Sequence, residues 1–151
     1  MNTFGKAAGI VVLLIAVVLI GSFAKTVVKS KFKEREQGKT DRAVEELLED
    51  TAKNISRQLP IMVDPNTRLD MVICNGKQMH YKYTMINYSE NKLDKEAFKN
   101  EATSTLSKNQ CNNKKMVELL KMGVEYYYIY FDKNGNLITT IQISKKNCGL
   151  I

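Results

Sequence analysis

Cys74, Cys111, Cys148 and the single His80 are the residues of this chain best suited to nucleophilic or metal chemistry. Metal binding would need more of them. There is no Cys-x-x-Cys pair, and one histidine with three scattered cysteines is too sparse and irregular a set for a zinc site. Nucleophilic catalysis would need Cys74, His80 and Asp70 together. A hairpin turning at Asn75-Gly76 puts Asp70, Cys74 and His80 on one face. Cys74, however, stands four residues along the strand from Asp70, about 13 Å at roughly 3.3 Å per residue. A nucleophile and its base must approach to about 3 Å. No GxSxG, P-loop, GxGxxG or HExxH pattern occurs. The reading is therefore no catalytic residue, no metal ligand and no cofactor.

The cysteines have a second use. Cys111 precedes a short helix and Cys148 follows the last strand, so a staple between them would join the helical layer to the sheet. In an exported domain such a bond contributes about 3–4 kcal/mol by loop-closure reasoning. Cys74 would be left over at a hairpin turn, although its pairing with either of the others stays open on sequence alone.

These residues belong to an α+β domain over 40–151 with the order helix, hairpin, helix, helix, hairpin. After a cap at Thr40 or Asp41, Val44, Leu47, Leu48, Ala52, Ile55 and Leu59 recur at helical spacing, and Pro60 ends the run. Arg68–Cys74 and Lys77–Tyr88 form the first hairpin. A three-residue loop, Cys74-Asn75-Gly76, groups Leu69, Met71 and Ile73 with Met79, Tyr81 and Tyr83 on the buried face and gives Gly76 a positive φ. Residues 93–107 are a helix with Leu93, Ala97, Phe98, Ala102 and Leu106 inward. Asn113–Met122 is a third helix, closed by Gly123. Val124–Phe131 and Leu137–Ser144 make the second hairpin about Asp132-Lys133-Asn134-Gly135. Pairing Phe131 with Leu137 makes Tyr127, Ile129 and Phe131, with Leu137, Ile141 and Ile143, the core face. Tyr126, Tyr128 and Tyr130 then line the opposite face, a row of aromatic rings with polar tips suited to binding a partner protein. The competing reading covers that row with the first long helix.

Ahead of the domain, residues 7–24 run eighteen positions without a charge. As a helix they span about 27 Å, close to the hydrocarbon thickness of a bilayer. They follow a short tail, 1–6, and are longer than the ~7–15 apolar residues of a secretory signal, so a permanent transmembrane anchor is favoured over a cleaved one. The following basic stretch, 25–39, carries Lys25, Lys29, Lys31, Lys33 and Arg35, placed to contact anionic headgroups of the lipid bilayer. The formal net charge of +7 is thus assigned to lipid rather than to nucleic acid, for which no aromatic–basic motif is present. Orientation is in conflict: the basic flank favours a cytoplasmic domain by the positive-inside rule, and the cysteine pair favours an extracytoplasmic one.

The expectation is a non-enzymatic, single-pass protein of the bacterial inner membrane. Its periplasmic domain would bind another envelope protein as an assembly module of an envelope or secretion complex. The alternatives are a membrane-tethered inhibitor or immunity protein, a cytoplasmic domain, and a thiol enzyme using Cys74.

Overall fold

Register slips in the two long hairpins decide which side chains this domain buries. The computed structural model describes residues 40–150. The anchor at 7–24 and its basic flank, including Lys25, Lys29, Lys31, Lys33 and Arg35, lie outside the described residues. Among the described residues no helix is long and apolar enough to cross a membrane.

Helix α1 (Thr40–Ser56) leads through a cis Leu59–Pro60 peptide into β1 (Ile61–Asp64), β2 (Thr67–Asn75) and β3 (Gln78–Met85). Helices α2 (Lys95–Cys111) and α3 (Lys114–Lys121) follow, then β4 (Glu125–Asp132), β5 (Leu137–Ile143) and a final turn of 3-10 helix at Lys145–Cys148. The five strands form one sheet in the order β1-β2-β3-β4-β5. The expected α+β class holds, with two differences. The short strand β1 adds an edge, and β3 and β4 pair in parallel at the centre of the sheet. A parallel pair needs a long crossover, which α2 and α3 supply.

The helices start where their caps dictate. Asp94 accepts from the Ala97 N–H at 3.0 Å, and Asn113 accepts from the N–H groups of Lys115 at 3.1 Å and Met116 at 3.4 Å. Gly123, at φ +85°, ends the α3 segment. The apolar stripe of α1, Val44, Leu47, Leu48, Ala52 and Ile55, is buried as expected.

Neither hairpin has the expected register. The first turns at Gly76-Lys77, pairing Asn75 with Gln78 and Val72 with Tyr81. Gly76 takes φ +57° as expected, but the loop has two residues instead of three. The β2–β3 register then shifts between Leu69 and Met71. Leu69 and Val72 therefore point inward while Met71 and Ile73 point to solvent. In the second hairpin Phe131 does pair with Leu137, but the register slips there and Tyr130 pairs with Thr139, Tyr128 with Ile141 and Tyr126 with Ile143. One residue of slip reverses every later face assignment. Tyr126, Tyr128 and Tyr130 join Ile141 and Ile143 in the core, and Tyr127, Ile129 and Phe131 face out.

Candidate functional site

All helices of the described residues contribute to one side of the sheet, and the tyrosines fill that side. Tyr81 and Tyr128 stack with centroids 5.4 Å apart, Tyr83 and Tyr130 at 5.1 Å, and Phe98 of α2 meets Tyr130 edge-on at 5.1 Å. Gln110 donates its side-chain amide to the Tyr128 hydroxyl, and the Tyr126 hydroxyl reaches Met116 Sδ at 3.6 Å. Burial pushes the phenols of Tyr126, Tyr128 and Tyr130 well above their ordinary value, so they stay neutral. The expected partner surface at Tyr126, Tyr128 and Tyr130 is therefore corrected. Each of the three is at most 2% exposed, because the register slip turns them under the helical layer.

The opposite face has no helix over it among the described residues. Three cross-strand rows build it: Ile73, His80, Tyr127, Gln142; then Met71, Lys82, Ile129, Thr140; then Arg68, Thr84, Phe131, Leu137. Met62 of β1 stands beside Arg68 at its edge. Among the described residues, the four exposed large hydrophobic side chains, Met62 at 47%, Met71 at 44%, Ile73 at 49% and Leu137 at 50%, all lie on this one face. An apolar patch concentrated in this way marks an interaction surface more than a scatter of single residues does.

Ring and polar contacts link neighbouring strands across the patch. His80 and Tyr127 stack at 4.6 Å with nearly parallel rings. Lys82 sits over the Phe131 ring at 4.6 Å, a cation–π contact. Asp70 accepts from Arg68 Nε and from Thr84 Oγ1, both at 2.5 Å. At one margin the Tyr127 hydroxyl donates to Glu125 Oε2 at 2.9 Å, which raises the phenol's pKa. Such a face can bind by area and by a few oriented polar groups. It holds no arrangement of nucleophile and base.

The structure separates the residues of the possible triad. His80 lies on the open face and Asp70 is engaged by Arg68 and Thr84. Cys74 pairs with Met79 and points to the helical side, where its thiol donates to the Gly76 carbonyl at 3.2 Å. Burial, then Glu49 and Glu45 of α1, raise the Cys74 pKa, the opposite of what an attacking thiolate needs. The cysteine staple does form: Cys111 and Cys148 are disulfide-bonded, 5.3 Å apart at Cα, joining the end of α2 to the turn after β5. Sequence reasoning had Tyr127, Ile129 and Phe131 as core. The signal that points the other way is β3, whose Gln78, His80, Lys82 and Thr84 alternate with Met79, Tyr81, Tyr83 and Met85, once β4 is known to lie beside it in register.

The profile of the family described as type II secretion system (T2SS) pilotin, S protein, matches residues 40–148 of this chain. The chain belongs to that pilotin family. Membership gives this pilotin a non-enzymatic role in assembling a secretion complex at the envelope. Solved structures share its fold at 18% identity. The pilotin EpsS of the Vibrio vulnificus type 2 secretion system superposes with a TM-score of 0.60, over 74% of this pilotin and 97% of EpsS. The type II secretion system pilotin AspS of Vibrio cholerae gives 0.56, over 72% and 95%. A candidate secreted protein of Pseudomonas aeruginosa, PA3611, gives 0.59, over 75% and 99%. No curated protein matches the pilotin sequence at a significant level.

Proposed function

We propose that this chain is tethered to an envelope membrane by residues 7–24 and docks another protein of the type II secretion complex, the secretin, on its open sheet face. The observation that carries the docking site is the gathering of Met62, Met71, Ile73 and Leu137 on that face. Stacked aromatic rings and a cation seated over a ring, beside exposed apolar area, are ingredients of a binding hot spot. The Cys111–Cys148 bond suits an oxidising compartment, so the domain is read as periplasmic against the charge bias of the basic flank. Attachment is assigned to the uncharged run at 7–24 by its length, with Lys25, Lys29, Lys31, Lys33 and Arg35 at the headgroups.

The test is co-purification of secretion-complex proteins with the full-length chain and with Met71→Glu/Ile73→Glu. Charges at these solvent-facing positions leave the fold intact and abolish capture of the secretin. Equal recovery by both chains refutes the docking site. An alkaline phosphatase fused after residue 151 is active if the domain is periplasmic and inactive if it is cytoplasmic.

A further inference from the structure

The two margins of the sheet differ in how they are protected. On one side β1 is only four residues long, carries a register shift and is followed by Pro65. Beyond it, α1 lies along β2, and Ser56 Oγ donates to the Val72 carbonyl at 3.2 Å. On the other side β5 is a seven-residue edge, Leu-Ile-Thr-Thr-Ile-Gln-Ile, with no charge, proline or glycine. Among the described residues, nothing but β4 hydrogen-bonds to its backbone. Natural sheets protect such edges with lysine, proline, bulges or a covering element; here α2 packs across the inner face of β5 and the strand slips at its beginning, but neither takes up the outer row of N–H and C=O groups.

We infer that β5 accepts an extended segment of a second protein as a sixth strand, and that this segment carries carboxylates at its ends. The backbone requires an extended occupant. A row of unpaired N–H and C=O groups is matched by another strand at about 4.8 Å, whereas a helix has already used its own. Leu137, Thr140 and Gln142 point to the open face and are exposed, so the added strand continues that face.

Charge selects against a second copy of this chain. Lys133 precedes β5 and Lys145 and Lys146 follow it, all exposed. Antiparallel self-pairing about Thr140 brings Lys145 and Lys146 of one copy beside the Lys133 turn of the other. Parallel self-pairing sets each lysine beside its own counterpart. Like charges oppose both arrangements. A segment with acidic ends meets attraction at both.

The inference rests on the β5 edge and not on the open-face reading. The probe is a peptide of seven alternating valines and threonines with two acidic residues at each end, added to the full-length chain in detergent micelles. Amide exchange slows at 137–143, and binding weakens about tenfold when the acidic ends are replaced by lysines. Thr140→Lys loses binding and Thr140→Val keeps it, each with the thermal midpoint of the parent. Gln142→Lys serves in place of Thr140→Lys if that variant does not fold. Met71→Glu/Ile73→Glu retains the peptide, which separates this surface from the other. Protection anywhere but β5, unchanged binding by the lysine variants, or a dimer that already protects β5 without peptide overturns the inference.

Discussion

The backbone N–H of Glu90 donates to Asp132 Oδ2 at 3.0 Å, tying the loop after β3 to the turn between β4 and β5. The N–H groups of Asn134 and Asn136 donate to Oδ1, each at 2.8 Å, and Asn136 Nδ2 reaches Oδ2 at 3.1 Å. Burial alone would raise the Asp132 pKa. The hydrogen bonds from Glu90, Asn136 and Asn134 outweigh it and hold the carboxyl down at about 2.

A pH dependence follows from that depression. The unfolded carboxyl titrates near about 3.9. Its stabilising contribution is therefore fully present above about pH 4 and is lost as pH falls from there towards about 2. Urea midpoints measured at pH 7, 4 and 2.5 will fall across this window in the parent. In Asp132→Asn the midpoint is lower at pH 7 and its decline below pH 4 is shallower.

Neighbouring tyrosines on β4 separate stability from binding. Tyr130→Ala empties a site between Tyr83 and Phe98 and costs about 3–5 kcal/mol, the usual range for truncating a buried aromatic. Tyr127→Ala removes a ring from the solvent side and costs about 1 kcal/mol or less, while weakening capture of the partner. Denaturant midpoints and co-purification of the two variants check the contrast.

How much of this was legible beforehand differs between helices and strands. The apolar spacing along each helix is a local signal, and it placed three helices to within a few residues. Glu125–Asp132, by contrast, reads EYYYIYFD, apolar on both faces, so alternation could not choose between them. The choice passed to the turn, and the turn was right at Phe131 and Leu137 but wrong one residue later. The slips beside Thr139 and Asp70 have no sequence signature here, since neither site carries a glycine. The parallel β3–β4 pair is a contact between segments some forty residues apart, which no local pattern announces. The open face was missed for this reason: its members, Tyr127, Ile129, Phe131, Met71 and Ile73, were assigned to the interior.

The turn at Gly76 gives a conformational test. At φ +57° a side chain is strained, yet a Cβ there meets only Glu45 Oε1 at 3.7 Å, an ordinary contact. Gly76→Ala therefore costs about 1–2 kcal/mol through the backbone alone, measurable as a lowered thermal midpoint with the sheet intact.

Removing the disulfide by Cys148→Ser lowers stability by about 3–4 kcal/mol, the loop-closure value for cysteines 37 residues apart. Equilibrium unfolding of the parent, with and without reductant, should reproduce the same difference.

That bond also makes a covalent ring of residues 111–148, which contains α3, β4 and β5. One protease cut anywhere between 112 and 147 opens the ring without releasing a fragment. The nicked chain keeps its full mass until it is reduced, so the turn at Lys133–Gly135 could be severed in a protease-rich compartment with both halves still joined.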